Sequence, residues 1–334
     1  MRIAIVNDVR AACEALRRIV EGRTGHEVAW TAVDGVEAVA MARRDRPDLI
    51  LMDLLMPHLD GVQATRQIMA AAPCAILIVT ATVSGNISLV YEAMGHGALD
   101  AVDTPVLGPD GEQGADALVD KITMIAKLVG VATETRRPAH PAPTAAAPPQ
   151  LLVIGASTGG PKAVSDVLAP LPRDWNTAVV IVQHVDVAFA PGLAKWLSER
   201  TGRPVRVVET GQSPVAGDVL VAGTNDHLVL TAGRFLEYRQ EPHDVFFRPS
   251  VDVFFDSVAA NWPRTGVAVL LTGMGRDGAR GLLRLKERGW YTIAQDEATS
   301  VVWSMPKAAI DLHAQCEVLP IGQIARAVIP RLSS

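Results

Sequence analysis

A serine in a glycine-rich turn is the first residue whose setting suits a nucleophile. The apolar run LLVIGA leads into Ser157-Thr158-Gly159-Gly160, and Pro161 opens the stretch that follows. Small residues on both sides let the chain turn sharply and let backbone N–H groups approach an oxyanion, which is why G-x-S-x-G recurs around nucleophilic serines. A glycine-rich turn before a helix is equally a cradle for phosphate. The turn alone therefore leaves a nucleophile and a phosphate site equally open.

A histidine at the end of a neighbouring apolar run supplies the base that a serine hydroxyl requires. His184 follows the run 179–182 almost directly, which would place its imidazole at the same sheet edge as Ser157. His227, in a turn before another apolar run, is the rival candidate. The strand-end position favours His184 as the general base, although a lone histidine is more often structural.

The acid that would orient the imidazole is sought at a third strand end. Asp277 lies in the glycine-rich loop that follows the apolar run 267–271, and its alternative role is to cap a helix. Asp186 is the rival acid, but it lies too close in sequence to His184 to orient it easily. The order Ser, His, Asp differs from the Ser, Asp, His order of α/β-hydrolases and disfavours that superfamily.

A second group of polar residues closes apolar runs in the N-terminal part of the chain. Asp8 follows the first run, Asp53 closes the third and Thr80 closes the fourth. Ligands of open parallel sheets gather at the carboxyl ends of the strands, and two carboxylates with a hydroxyl suit a hard divalent cation and a phosphoryl group. The alternative is that these side chains cap the helices that follow.

Both parts of the chain alternate short apolar runs with amphipathic helical stretches, the pattern of parallel α/β sheets. The first part contains five runs, which predict a five-stranded doubly wound sheet: residues 3–6, 28–32, 49–52, 76–79 and 99–102. The second part predicts a mostly parallel sheet from a further five: residues 151–155, 179–182, 205–208, 267–271 and 292–294. Turn residues at short spacing predict an antiparallel β-ribbon insertion built from three runs: residues 219–222, 228–231 and 235–238.

The length of 334 residues suits two domains, at about one domain per 150 residues. Residues 131–150 contain five prolines and no hydrophobic periodicity, so they predict a linker rather than a helix or central strand. The expected division is a domain at 1–130, a Pro/Ala-rich linker at 131–150 and a domain at 151–334. With 49% hydrophobic and 20% charged residues, both domains should fold as globular α/β units.

Charge and cysteine content narrow the expected surroundings. The net charge of −5 is mild and interspersed, so we expect neither a nucleic-acid partner nor an anionic membrane surface. Three cysteines without metal or disulfide spacing fit a reducing compartment: Cys13, Cys74 and Cys316. No apolar segment is long enough for membrane insertion, which predicts a soluble, cytoplasmic protein.

The stretch DLILMDLLMPHLDGVQATRQI resembles the phosphorylation-site segment of response-regulator receiver domains. The resemblance implies that Asp53 accepts a phosphoryl group from a histidine kinase. It also implies a Mg²⁺ ion bound by Asp53, Asp8 and the backbone carbonyl of Leu55, with the Thr80 hydroxyl following the phosphoryl group. An aspartyl phosphate carries charge that can reposition nearby elements.

Two positions depart from the receiver pattern. Asn7 stands where receivers carry the first member of an acidic pair, and Thr104 stands where they carry a lysine before Pro105. One carboxylate and one cation are thus missing from the expected site. We therefore expect weaker metal binding and slower phosphorylation than in receivers with the full set.

Five segments between residues 151 and 310 resemble the catalytic domain of chemotaxis protein-glutamate methylesterases, the CheB family: GASTGG, IVQHV, FRPSVDVFF, LLTGMGRDGARG and AQDEATSVVWSMPKAAI. The resemblance makes Ser157 the nucleophile, His184 the general base and Asp277 the orienting acid. It further implies that Thr158 and the Met274 backbone N–H hold the oxyanion or substrate. Arg248 in the FRPS segment is expected on the substrate side, with a surface salt bridge as its alternative.

The function implied is phosphorylation-regulated hydrolysis of glutamyl γ-methyl esters on methyl-accepting chemoreceptors, without a cofactor in the esterase domain and with glutamine deamidation as a related reaction. The strings IAIVND, VDTP, GHGALD and AGTN resemble the Wsp-type surface-signalling branch. The competing hypothesis is a non-catalytic module in which the receiver is tethered to a domain that binds a nucleotide or a partner protein.

Overall fold

The computed structural model describes residues 1–81, 83, 85–108, 111–128, 149–187, 189–245 and 247–332. The chain divides into two compact units, Met1–Glu134 and Thr135–Ser334, and each is described by itself. Residues 131–148 of the predicted linker lie outside the described residues. None of the helices in the described ranges is long and apolar enough to cross a bilayer.

The first unit is built on five parallel strands: β1 (Arg2–Val6), β2 (Glu27–Ala32), β3 (Leu49–Met52), β4 (Ala75–Thr80) and β5 (Asp100–Asp103). A short antiparallel pair follows, β6 (Val106–Gly108) and β7 (Gly111–Gln113). The helices are α1 (Arg10–Arg23), α2 (Gly35–Arg44), α3 (Gly61–Ala71), α4 (Ile87–Gly95) and α5 (Ala115–Leu128).

The strand order β2-β1-β3-β4-β5 confirms the predicted doubly wound sheet. Apart from Arg2 at the start of β1 and Thr80 at the end of β4, the inner strands are apolar because helices cover both faces, as is usual for parallel sheets. The winding direction reverses between β1 and β3, and in such sheets ligands bind in the crevice at that point. Asp8 and Asp53 follow these two strands.

The second unit contains seven strands of one sheet: β8 (Gln150–Ala156), β9 (Thr177–Gln183), β10 (Arg206–Val207), β11 (Val219–Val221), β14 (Val267–Leu270), β15 (Tyr291–Gln295) and β16 (Glu317–Leu319). A separate antiparallel hairpin consists of β12 (His227–Leu230) and β13 (Leu236–Arg239). The helices are α6 (Gly160–Leu168), α7 (Ala190–Thr201), α8 (Val251–Asn261), α9 (Ala279–Glu287), α10 (Ser304–Asp311) and α11 (Ile321–Leu332).

The sheet order is β10-β11-β9-β8-β14-β15-β16, and all six strand pairs are parallel. Alternate residues of the central strands pack with α8 and α9 in one core, as Leu151 and Val153 do with Phe254 and Leu282. The winding reverses between β8 and β14. The crevice expected to bind a ligand therefore lies where these two strands end.

The prediction assigned one strand to the wrong sheet. Residues 219–222 were expected in the antiparallel ribbon, but Val219–Val221 pairs in parallel with β9 and β10 as part of the main sheet. All three side chains are buried, which suits a strand covered on both faces. Among the described residues of this unit, the ribbon consists of β12 and β13 alone. Turn spacing therefore predicted these two strands correctly and the third run, residues 219–222, incorrectly.

Candidate active site and phosphorylation site

Three strand ends meet at the crevice of the second unit. Ala156, the last residue of β8, pairs with Gln183 of β9, so Ser157 and His184 occupy the next positions of adjacent strands. The His184 N–H donates to the carbonyl of Ala156 at 3.0 Å, and the Ser157 N–H donates to the carbonyl of Thr272 at 3.0 Å. Backbone hydrogen bonds thus tie the serine turn, the histidine turn and the loop after β14 together.

His184 and Asp277 form a buried hydrogen-bonded pair. The distance between His184 Nε2 and Asp277 Oδ2 is 2.7 Å, and the two side chains are 10% and 6% exposed. Burial raises the pKa of the Asp277 carboxyl, but the hydrogen bond and charge of His184, helped by Ser250 and the Asp252 backbone, outweigh burial and hold this pKa below its usual value. Asp277 is therefore an ionised acceptor at neutral pH.

Three donors at the start of α8 hold the same carboxylate. Oδ1 of Asp277 accepts from Ser250 Oγ at 2.7 Å and from the Asp252 N–H at 3.0 Å, while Oδ2 also accepts from the Val251 N–H at 2.6 Å. The N-terminus of a helix favours negative charge because its N–H groups lack partners within the helix. The carboxylate is thus held in position from two sides, by His184 and by α8.

The Asp277 contact determines which nitrogen of His184 can act as a base. An ionised carboxylate only accepts, so Nε2 carries the hydrogen and Nδ1 has a free lone pair. Nδ1 is buried and has no hydrogen-bond partner in the described part of the chain. Among the same residues no hydrogen bond joins Ser157 Oγ to His184. The acid side of the predicted triad is formed, whereas catalytic contacts on the nucleophile side often tighten only when substrate binds.

The rival candidates have other partners. His227 Nε2 lies 3.1 Å from the carbonyl of Pro242, and its Nδ1 accepts from the Ser250 N–H at 3.3 Å. Asp186 accepts from the Asn225 side chain at 3.1 Å. The pairing of His184 with Asp277 rather than with Asp186 favours the esterase interpretation of the Ser157 turn over a phosphate cradle.

Residues predicted to contact the oxyanion or substrate lie around the same turn. Thr158 is buried, and its carbonyl accepts from the Thr272 hydroxyl at 3.0 Å. Within the described ranges, the backbone N–H groups of Thr158 and Met274 donate to no protein acceptor. Arg248 Nη2 donates to the carbonyl of His243 at 3.1 Å, and no described carboxylate lies within ion-pair distance of it. The roles of these three residues stay predictions.

Two residues that sequence reasoning missed contact His184, the candidate base. The Phe247 ring stacks on the imidazole of His184, with 4.4 Å between ring centroids and 4° between planes. The Gln183 amide Nε2 donates to the carbonyl of Ser157 at 2.8 Å and to that of His184 at 3.1 Å. Phe247 occurs in the motif FRPS, and Gln183 occurs in the motif IVQH. The available signal for Gln183 was a polar side chain directly after the apolar run 179–182.

Glycine is required at two positions for steric reasons. A Cβ at Gly160 would lie 2.0 Å from Gln183 Oε1, and one at Gly273 would lie 2.7 Å from the Ser157 Cβ. Both distances are far below van der Waals contact. Gly160 therefore allows the close approach of Gln183, and Gly273 allows that of Ser157.

Asp53 in the first unit is buried at the end of β3, and its carboxylate accepts hydrogen bonds from several neighbours. Its Oδ1 accepts from the Leu54 N–H at 2.7 Å and its Oδ2 from the Asn7 side-chain amide at 3.1 Å. Burial raises the pKa of Asp53, against the lowering effect of the Leu54 N–H. Asn7, which replaces an expected acid, thus donates to the carboxylate beside it instead of repelling it.

The other predicted residues of this edge are Asp8, Leu55 and Thr80. Asp8 and Leu55 are exposed, while Thr80 is buried and its hydroxyl accepts from the Asn86 amide at 3.2 Å. The alternative that Asp8, Asp53 and Thr80 cap the helices that follow them is wrong. The N-cap residues of α1, α3 and α4 are Val9, Asp60 and Asn86.

The donor set of this edge fits Mg²⁺. Carboxylates from Asp8 and Asp53 and the carbonyl of Leu55 are oxygen ligands, and Mg²⁺ keeps water in its remaining positions. No group of three or more His, Cys, Asp or Glu residues within the described ranges could hold a metal. The Asn7 amide nitrogen is a donor and cannot serve as a ligand.

Comparisons with known proteins cover both units. The model of the CheB methylesterase family matches residues 152–328, and that of the response regulator receiver domain matches residues 3–110. A protein-glutamate methylesterase/protein-glutamine glutaminase of Mesorhizobium japonicum is 52% identical over 332 residues, covering 98% of each chain. A protein of the same description from Burkholderia orbicola is 54% identical over 335 residues, covering 100% of this chain and 98% of the relative.

A solved structure matches the second unit. The crystal structure of the Thermotoga maritima CheB methylesterase catalytic domain is 33% identical, with a TM-score of 0.51. It covers 55% of this chain and 99% of that chain. The similarity in sequence therefore extends over the whole chain, and the structural similarity over the unit that contains Ser157, His184 and Asp277.

Proposed function

The chain belongs to the CheB methylesterase family, and from that premise we infer that it is a phosphorylation-regulated protein-glutamate methylesterase. Its relatives also carry the name protein-glutamine glutaminase, which makes glutamine side chains the second substrate class to test. The observation that carries the mechanism is the buried pair of His184 and Asp277 beside Ser157. The proposed substrate is a glutamyl γ-methyl ester on the cytoplasmic helices of a chemoreceptor.

The first step of the reaction forms a tetrahedral intermediate. Ser157 Oγ attacks the ester carbonyl while its proton passes to Nδ1 of His184, the nitrogen with the free lone pair. The resulting imidazolium keeps its hydrogen bond to the Asp277 carboxylate and lies under the Phe247 ring, whose face attracts cations. The oxyanion would receive hydrogen bonds from the backbone N–H groups of Thr158 and Met274, which have no acceptor in the described part of the chain.

The following steps form the acyl-enzyme and then restore the free enzyme. The imidazolium of His184 protonates the departing methoxide oxygen, the bond between that oxygen and the acyl carbon breaks, and methanol leaves. Water then attacks the acyl carbon as His184 takes one of its protons, and the collapse of the second intermediate returns that proton to Ser157 Oγ. The products are methanol and a glutamate carboxylate. Arg248, half-buried beside Phe247, is a cation that could contact an acidic receptor segment.

The receiver unit is proposed as the regulatory input. A histidine kinase in the cytoplasm would transfer its phosphoryl group to Asp53, with Mg²⁺ held by Asp8, Asp53 and the Leu55 carbonyl. The ion would neutralise charge on the transferring phosphoryl oxygens. The Thr80 hydroxyl would then contact the phosphoryl group. Membership of the surface-signalling branch stays a prediction.

Methanol release from methylated receptor membranes tests the proposed activity. Ser157→Ala should abolish release and also abolish covalent labelling by a fluorophosphonate, because the change removes only the attacking oxygen. Ser165→Ala, in the helix α6 that follows Ser157, is the matched control and should retain both methanol release and labelling. Turnover that survives Ser157→Ala would refute the nucleophile assignment. Absence of turnover and labelling in the native chain would favour the non-catalytic binding module.

A further inference from the structure

A second histidine lies close to the esterase site and has no role in the reaction described above. His227, the first residue of β12, is fully buried. Its Nε2 lies 3.1 Å from the carbonyl of Pro242, and its Nδ1 lies 3.3 Å from the Ser250 N–H. A carbonyl only accepts and an N–H only donates, so Nε2 carries the hydrogen and Nδ1 is an acceptor. The contacts thus select one neutral tautomer.

Ser250 connects this histidine to the catalytic acid. Its backbone N–H donates to His227 Nδ1, and its hydroxyl donates to Asp277 Oδ1 at 2.7 Å. The same hydroxyl accepts from the Val253 N–H at 3.3 Å, which makes Ser250 the N-cap of α8. Ser250 is fully buried, so its N–H has no access to water. Without His227 this N–H would lose its acceptor, at the cost of an unsatisfied buried donor.

The start of α8 acts as a template for the carboxylate. The side chain of Ser250 and the N–H groups of Val251 and Asp252 all point at Asp277. Among the described residues, Oδ1 accepts only from this helix start, whereas Oδ2 also contacts His184. The direction of Oδ2 therefore depends on how Oδ1 is anchored, and the anchoring depends on where the backbone of Ser250 lies.

We infer that Ser250 and His227 are positioning residues of the esterase, which fix the Asp277 carboxylate and through it the tautomer of His184. The inference rests on the proposed function of the same site. Neither residue touches the reacting atoms. A hydrogen-bonded chain runs from the carbonyl of Pro242 through His227, Ser250 and Asp277 to His184.

A matched pair of substitutions separates positioning from packing. In His227→Asn the side-chain Oδ1 replaces Nδ1 and still accepts from the Ser250 N–H. In His227→Gln the longer side chain reaches the Pro242 carbonyl and leaves no acceptor at the Nδ1 position. Both remove the ring, so both lose similar packing. The full-length chain is used for all variants, with thermal unfolding measured alongside methanol release.

The kcat of His227→Asn should stay within about threefold of the native value, whereas that of His227→Gln should fall about ten- to hundredfold, the range expected for a lost hydrogen bond in a chain that ends on a charged group. KM should be unchanged in both, because neither residue contacts substrate. Ser250→Ala should lower kcat by a similar factor and Ser250→Thr should restore most of it. This serine pair carries the test if His227→Gln does not fold.

Two results would overturn the inference: equal kcat in both His227 variants, or a fall in kcat that tracks the unfolding temperature. An independent readout is the low-field proton resonance of His184 Nε2–H, which should persist in His227→Asn and shift in His227→Gln. A native chain without methanol release would refute the proposed function instead. The resonance would still report whether His227 positions the Asp277 and His184 pair.

Discussion

Replacement of Asp277 by Asn should nearly abolish turnover while leaving the fold intact, because the change is isosteric and acts on four hydrogen bonds at once. All four donors around the carboxylate point toward its oxygens: His184 Nε2, Ser250 Oγ and the N–H groups of Val251 and Asp252. Asparagine offers one oxygen and one NH2 group. At least one N–H of the α8 start then faces another donor.

The expected magnitude follows from the two orientations of the amide. If the NH2 group faces His184, the imidazole must accept at Nε2, so its hydrogen moves to Nδ1 and the base is lost. If the NH2 group faces Ser250, the tautomer survives but the imidazolium loses its anionic partner. Loss of the tautomer corresponds to a fall in kcat of about 10⁴-fold, as in serine-protease triads. The orphaned α8 N–H should lower the free energy of unfolding by about 1–3 kcal/mol.

The stability difference should depend on pH with a defined sign. The pKa of Asp277 lies below the ordinary 3.8, so its carboxylate stabilises the folded state at and above that pH. This contribution fades as the pH falls through the lower pKa of the folded state. The difference in unfolding free energy between the native chain and Asp277→Asn should accordingly be largest near neutral pH and shrink in acid. Urea unfolding at several pH values measures it.

Methanol release under single-turnover conditions gives the catalytic half of the test. Asp186→Asn is the matched control, because Asp186 is the rival acid and it pairs with Asn225 instead of His184. It should retain activity. Native rates in Asp277→Asn, or a loss of activity confined to Asp186→Asn, would refute the assignment of the acid.

Three further outcomes are expected. Phe247→Leu should lower kcat about three- to tenfold, since the imidazolium of His184 loses the aromatic face stacked on it; a native kcat would show that stacking only holds the ring. Asp53→Asn should abolish both phosphate-affinity gel shifts and activation by a phosphodonor, and a shift that survives would mean a different acceptor. Thr104→Lys should raise the rate of Asp53 phosphorylation by supplying a missing cation; an unchanged rate would mean that another group compensates.

The central strands could be predicted from sequence because burial on both faces leaves a simple signal. Runs such as residues 151–155 and 179–182 are apolar throughout, and the structure places them in adjacent parallel strands. Short strands toward the edges of the sheet were harder to predict. Val219–Val221 has only three residues, and turn spacing around it matched that of the neighbouring hairpin. The strand β16 lies at the sheet edge and carries half-buried residues, so its pattern is weak.

The common location of the candidate site residues could also be predicted, since parallel strands bring their carboxyl ends to one edge. Ser157, His184 and Asp277 each follow such a strand. The residues that support them could not be found this way. Phe247 and Ser250 precede a helix, and their contacts with His184 and Asp277 depend on how α8 packs against the sheet. No spacing along the chain encodes that packing.

Asp277 shows why the catalytic and helix-capping alternatives could not be separated in the sequence. The capping hypothesis referred to the helix that follows, but α9 begins after Gly278 without a side-chain cap. Asp277 instead accepts hydrogen bonds from the first N–H groups of α8, a different segment of the chain. These donors stabilise its negative charge and also aim Oδ2 at His184. The same carboxylate thus satisfies a helix N-terminus and contacts the proposed base, so we expect both the stability of α8 and the activity of the esterase to depend on it.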